Sequence, residues 1–432
     1  MKTIIEVADK AKDLLKNHNI EKYSVSTSQK ETREFNIEDG EFSLLRTLFD
    51  NSLSVSAFIG AKQGSAGGND FSDEGIESTV NAAVAATESA EEDPDKDIAP
   101  SQGTEVMTQG ILEPDAEKFF ARLKEFKEAL PVKYPKIKLM QVFAKCVKQH
   151  SYYTNTNGTT FENTEGWYDF VAEFAGHEGD RTTGINVAWS AYQDLDTPFL
   201  EQEQIKLQLD TAVAQLNLVP VEGKFEGTVV LTPDCATQLM YASLSNFAGD
   251  GSVLEGTSIW LDKLNTKVAD EKLTVTVDPY DKHVVCGNRW TGEGFKTVTL
   301  PVIEKGVFKN FVIGLYVANK KKLKPAKVDM GSFIIAPGTD SYADMIKSVK
   351  KGILMGGISC GAPGANGEIS GVAKSSFLIE DGEIKGAVSE TMISGNLADM
   401  LNHIVGISKE TMSDGSGCAP YIAVDGIVIS GK

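Results

Sequence analysis

The chain has 432 residues, 41% of them apolar and 24% charged, the composition of a soluble globular protein too long for one average core. Its formal charge of −19 excludes a nucleic-acid backbone as the expected partner, because phosphate binding needs concentrated Lys and Arg. No apolar run is long enough to cross a bilayer, and five cysteines without a C-x-x-C pair suit a reducing, cytoplasmic compartment.

The N-terminal segment places Ile4, Ile5, Val7, Ala8, Ala11, Leu14 and Leu15 at helical spacing among charged residues, which reads as a surface helix and not a signal peptide. Alternating segments follow at 23–28, 33–37, 42–49 and 52–59, and Asp39-Gly40 marks a hairpin turn between them. The stretch 62–70 is rich in glycine and is read as a loop, after which Ser72 caps a helix with Ile76, Val80, Ala83, Val84 and Thr87 on its buried side. An acidic, proline-broken linker near 91–114 comes next, its 88–97 part taken as solvated. A second helix then starts after Pro114-Asp115, with Phe119, Leu123, Phe126 and Leu130 at core spacing. Strands resume from 136 to 189 with a turn at Asn155–Gly158, and Pro198 opens another helix carrying Leu209, Ala212, Val213 and Leu216.

This pattern predicts an α+β protein. Antiparallel sheets packed with helices, in duplicated helix–strands–helix units, fill an N-terminal domain (1–220), and a β-rich, barrel-like domain fills 221–432. In the second half, Ile303–Gly306 and Ile379–Gly382 echo Ile37–Gly40 as strand–turn–strand hairpins, and Asp425-Gly426 is read as a further turn. The run Lys320–Lys324 is read as a solvated turn or strand edge. Helices are expected over 341–350 and 396–404. The histidines form no ligand pair at i, i+3 or i, i+4, and Gly179 with no second His removes His177-Glu178 as a zincin start.

One stretch carries more information. From Gly227 to Trp260 a β-branched strand meets a Pro-Asp turn, then a helix-compatible run, then a glycine-rich loop. With the Gly64–Asp70 segment, Ala336–Thr339 before 344–353, Phe377–Ile384, and Val388–Thr391 followed by Ile393–Leu397, it resembles the TldD/PmbA (TldE) family, also labelled modulators of DNA gyrase, along nearly the whole chain. In TldD-type chains the helix bears a His-Glu-x-x-x-His metal motif and a late cysteine is a further ligand. PmbA/TldE-type chains lack the motif and are thought to complete a heterodimeric peptidase that trims modified peptides. The family's acidic stretch is replaced here by Arg289–Gly294.

Aligned from the strand, Tyr241 falls where the first His would stand, Ala242 at the Glu and Asn246 at the second His, with Cys418 near the late-thiol position. A catalytic zinc needs about three ligands drawn from imidazole, thiolate or carboxylate, and a neighbouring base for its water. A phenol with a pKa of about 10, a methyl group and a neutral amide supply none of these. The resemblance therefore implies a chain with no catalytic residue, metal or cofactor of its own. Zinc is expected in a TldD-type partner, and the substrate is an unfolded or modified peptide.

Around Met355–Gly364 two readings stand, a glycine-rich β-loop or a peptide-cleft wall in which Gly356, Gly357 and Ser359 offer backbone N–H groups. Two alternatives to the accessory subunit also stand. One is a homodimeric peptide-binding protein, the other an autonomous peptidase using Cys418 or a remote His.

Overall fold

Two curled sheets, each covered by helices, organise the computed structural model, which describes residues 2–20 and 22–431. The outer ends of the two expected halves, Met1 and Lys432, lie outside the described residues.

The first half runs α1 (Ile4–Asn17), β1 (Lys22–Glu38), β2 (Glu41–Ile59), β3 (Lys62–Gly68), α2 (Asp73–Ser89), β4 (Gly103–Gly110), α3 (Ala116–Lys133) and β5 (Ile137–Asn155). It closes with β6 (Thr159–Glu178), β7 (Arg181–Thr182), β8 (Asn186–Tyr192) and α4 (Glu203–Ala214). The strands form one sheet in the order β3-β2-β1-β5-β6-β4, with β7 and β8 also on β6. The duplicated units are thus joined. Helices α1 and α2 bury Val7, Leu15, Ile76 and Val80 against Val25, Val55 and Tyr152, while α3 and α4 bury Phe119, Phe126 and Leu209 against Val142, Ala144 and Phe170. Beyond the register shift at Leu139/Gln141, the β5 residues of both clusters (Val142, Ala144, Cys146 and Tyr152) are even-numbered, so all four helices lie on one face of the sheet. Ser72 caps α2 and Asp115 caps α3, each side chain accepting a backbone N–H three residues on.

Several sequence expectations need correction here. The four short strands of 23–59 are two long ones, of 17 and 19 residues. β1 is paired on both flanks, by β2 and β5, so its ladder carries the polar run Gln29–Glu31 that broke the alternation. Residues 62–68 are the strand β3 and not a loop. The linker at 91–114 is not free. Its second part is β4, parallel to β6, and its first part is strapped to the other half where Asp93 accepts from the Tyr316 hydroxyl at 2.9 Å and from Lys320 at 2.9 Å.

The second half begins with β9 (Lys224–Leu231), α5 (Pro233–Ala248), α6 (Asp250–Glu255), β10 (Val275–Val277), β11 (Leu300–Glu304), β12 (Val307–Phe308), α7 (Leu315–Lys321) and β13 (Phe333–Ile335). It continues with α8 (Tyr342–Ser348), β14 (Lys351–Met355), β15 (Gly357–Cys360), β16 (Glu368–Lys374), β17 (Phe377–Glu380) and β18 (Glu383–Ala387). β19 (Met392–Asn396), α9 (Leu397–Asn402), β20 (Ile404–Ser413) and β21 (Cys418–Ser430) complete it. The three echoing hairpins are real turns of one kind. Asp39-Gly40, Lys305-Gly306 and Asp381-Gly382 all have φ > 0 at both central residues, which matches the right-handed twist of the flanking strands. Asp425-Gly426 is not a turn but a bulge within β21, where the register shifts between Val424 and Ile427. The lysine run ends helix α7 instead of edging a strand, with Lys322 left-handed at its C-cap. Residues 250–255 form a short helix where a loop was expected.

The halves meet on the face of the first sheet opposite its helices. Phe161 of β6 stacks on Trp290 with ring centroids 5.6 Å apart, and Tyr153 of β5 donates its hydroxyl to the Glu293 carbonyl at 3.0 Å. Gly294 sits against the Tyr153 ring with φ +94°, so both its conformation and the close approach require glycine.

Phe199, 2% exposed, touches Phe119, Phe126, Phe170 and Tyr192, the Phe170 ring at 4.4 Å. Phe199→Ala is expected to lower the unfolding free energy in urea by about 3–5 kcal/mol, as for other buried aromatic truncations. Phe49→Ala, at a ring 73% exposed on β2, is expected to change it by no more than about 0.5 kcal/mol.

Candidate functional site

β9 lies between β21 and β14, and its end delivers the chain directly into α5. Thr232 caps that helix, its hydroxyl accepting from the Cys235 N–H, and Pro233 occupies the first turn where no N–H is needed. The helix buries Cys235, Leu239, Leu244 and Phe247 in the largest core of the second half. Burial pushes the Cys235 thiol well up, so it is an inert core group.

The three aligned positions lie elsewhere on the same helix. Tyr241 is 51% exposed and stacks on Phe333 with centroids 6.5 Å apart. Ala242 packs its methyl against the core edge. Asn246 is turned to the loop after β15, where its Nδ2 donates to the Gly364 carbonyl at 3.0 Å. What this surface offers a cation is a phenol, a methyl and the oxygen of a neutral amide already engaged through its nitrogen. That donor set does not fit a catalytic zinc. Among the described residues, no three His, Cys, Asp or Glu side chains gather closely enough to share a metal ion.

Two polar clefts flank this helix and the junction. The first, of about 290 Å³, is walled by Tyr241, Thr291 and three carboxylates, Asp250, Glu293 and Asp329. Asp250 accepts from the Gly314 N–H at 2.9 Å and Glu293 from the Leu315 N–H at 3.3 Å. Burial, reinforced by the Glu293 charge, pushes the Asp250 and Asp329 carboxyls upward. The second cleft, of about 530 Å³, lies where β8 and the start of α4 face residues 282–285 and 411–418. Cys418 and His283 both line it. Tyr241 and Cys418 therefore border different clefts. Cys418 is buried, and desolvation pushes its thiol up, while the His283 ring pairs through Nδ1 with Asp281 at 2.7 Å. A buried thiol with a raised pKa is the opposite of an activated nucleophile.

Gly356 directly precedes the edge strand β15, and Gly357 and Ser359 lie on it. Their neighbour Ile358 has its outward N–H and C=O taken by the side-chain amide of Gln238 on α5, at 3.2 and 3.0 Å. The Gly356 N–H is likewise bonded to the Ser376 hydroxyl at 3.3 Å. Neither Gln238 nor the carboxylates of the first cleft stood out in the sequence. Residues 250, 293 and 329 meet only through the fold, and no local spacing announces them.

Residues 223–431 match the family model of the PmbA/TldA metallopeptidase C-terminal domain, and residues 23–87 that of the PmbA/TldA metallopeptidase domain 1. A metalloprotease of Methanocaldococcus jannaschii is 23% identical over 255 residues, 52% of this chain and 56% of that protein, so the match spans about half the relative's length. A metalloprotease PmbA homolog of Haemophilus influenzae is 22% identical over 410 residues, 89% of this chain and 86% of its own. Among solved structures, TldE from Thermococcus kodakarensis superposes with a TM-score of 0.84 at 19% identity, covering 99% of this chain and 100% of that one. A Bacteroides thetaiotaomicron protein described as a modulator of DNA gyrase gives 0.85 at 21% identity, covering 99% and 98%. The N- and C-terminal family domains occur in order on a fold shared end to end with a solved TldE, and the chain belongs to the PmbA/TldD metallopeptidase family.

Proposed function

We propose that this protein is a metal-free, PmbA/TldE-like subunit of a cytoplasmic peptidase. It helps hold an unfolded or modified peptide while a TldD-type partner supplies zinc and the general base. One observation carries the reading. In a metallopeptidase family, the helix that follows β9 is intact and well packed, yet Tyr241, Ala242 and Asn246 present no ligand set and no base. A fold kept whole around a site without its reagents is what a binding or completing subunit retains. No helix among the described residues is long and apolar enough to cross a membrane.

The homodimeric peptide-binding reading differs only in the partner, and the autonomous peptidase reading is disfavoured by the state of Cys418.

Mixing the purified chain with a paralogue from the same cell that carries H-E-x-x-x-H tests the proposal. Cleavage of an unfolded protein such as reduced, alkylated casein is expected in the mixture and to be abolished by chelator. Equal activity of the paralogue alone, with no co-elution of the two chains, counts against it. A second expectation concerns the thiols. A raised pKa leaves less thiolate at any given pH, so at pH 8 iodoacetamide should label Cys418 far more slowly than the exposed Cys360, with the Cys418 rate still climbing as pH rises further. Peptidase activity of the chain alone that survives chelator and disappears in Cys418→Ala would favour the autonomous reading.

A further inference from the structure

The second cleft contains polar atoms that the fold itself leaves unsatisfied. Gln204, 7% exposed, lines the cleft and directs its Nε2 to the Asp234 carboxylate, at 3.0 and 3.1 Å from the two oxygens. Asp234 is not a wall of the cleft, so the amide is pinned from behind and its Oε1 is left without a hydrogen-bond partner. Tyr192, which lines the same cleft, also has a buried hydroxyl that makes no hydrogen bond of normal geometry, although the Ser190 side chain lies beside it. The nearby Ser190 hydroxyl is committed to the Asp414 carbonyl at 3.1 Å. Both atoms expose less than 1 Å², so a ligand meets them only after a small shift of the side chains that line the cleft. Buried polar groups are almost always paired, and two orphans in one cleft of about 530 Å³ at a domain junction mark a built binding site.

The chemistry of the walls narrows the ligand. Gln204 Oε1 can only accept, and asks for an N–H. The Tyr192 hydroxyl can donate, and asks for a carbonyl. The charged residues at the walls are of both signs, Asp194 and Glu203 against Lys282, which gives no single-sign field for a phosphate or a polyamine. We propose that this junction cleft binds the backbone of an extended peptide, with one peptide N–H donated to Gln204 Oε1 and one peptide carbonyl accepting from the Tyr192 hydroxyl. The proposal rests on the peptide-handling reading above and adds the place where the peptide lies. The first cleft, beside Tyr241, is not that place.

The test uses the full chain and a fluorescein-labelled, end-blocked twelve-residue peptide of Ala, Gly, Ser and Gln, with binding read by fluorescence anisotropy. Tyr192→Phe removes an oxygen whose one polar neighbour, the Ser190 hydroxyl, keeps its bond to the Asp414 carbonyl, so its thermal midpoint should fall little. Its affinity for the peptide should drop about tenfold, equivalent to ~1.4 kcal/mol. Tyr241→Ala, in the other cleft, should bind as the unaltered chain does. Gln204→Leu should also weaken binding but strips a partner from Asp234, so Tyr192→Phe is decisive. If the unaltered chain binds and Tyr192→Phe binds equally well, or if Tyr241→Ala is the variant that loses affinity, the cleft assignment is overturned while peptide handling stands. If the unaltered chain does not bind the peptide at all, the peptide-handling reading fails and this proposal with it.

Discussion

Helix α5 is held by apolar burial along one side, and the rest of the account depends on that asymmetry. Cys235, Leu239, Leu244 and Phe247 sink into a core built from both ends of the second half, and β9, which leads into the helix, is clamped between β14 and β21. Each buried aliphatic or aromatic side chain contributes roughly 1.5–3 kcal/mol relative to exposure, so the helix cannot shift without large loss. The positions on its more accessible surface are under no such constraint. There a fold that could present imidazoles instead presents Tyr241, Ala242 and Asn246, and the Asn246 amide closes a loop by bonding the Gly364 carbonyl. The scaffold is conditioned by packing and the chemistry by a few side chains that packing does not choose.

The second organising contact is the junction of the two halves. Phe161 on Trp290, Tyr153 on the Glu293 carbonyl and the strap through Asp93 place the loop 282–294 over the open face of the first sheet. Both clefts owe part of their walls to the segments this junction positions. Asp93 has its carboxyl held below the ordinary range by the Lys320 ammonium, so the strap is an ion pair at neutral pH and weakens only as pH falls through that lowered value. A polar cleft where the two halves meet, with a buried acceptor and a buried hydroxyl at its wall, suits recognition of a polar chain more than burial of an apolar one.

Much of this architecture was legible in the residues. The stripes Ile76–Val80–Ala83 and Phe119–Leu123–Phe126 fall on real helix faces, the Ser72 cap is a real cap, and Asp-Gly or Lys-Gly pairs at 39–40, 305–306 and 381–382 are real turns. The failures share a cause, which is that pairing overrides local signal. Gly64–Gly68 is a strand because β2 supplies a ladder, β4 forms because β6 offers an edge, and Asp425-Gly426 is absorbed as a bulge because β21 is paired on both sides of it. At the site, the presence of Tyr, Ala and Asn at 241, 242 and 246 could be read directly, since it is a matter of residue type at fixed spacing. The meeting of His283 with Cys418 in one cleft, the capping of Ile358 by Gln238 and the pinning of Gln204 by Asp234 could not, because each joins residues separated by 30 to 135 positions and only tertiary structure sets those distances.

The claim most exposed to contradiction is that the surface of α5 carrying Tyr241, Ala242 and Asn246 holds no hydrolytic metal. Elemental analysis of the full chain, purified without chelator and dialysed after exposure to zinc, addresses it directly. The account predicts zinc far below one ion per chain. One tightly held zinc per chain, lost on substitution of Tyr241 or Asn246, would contradict it.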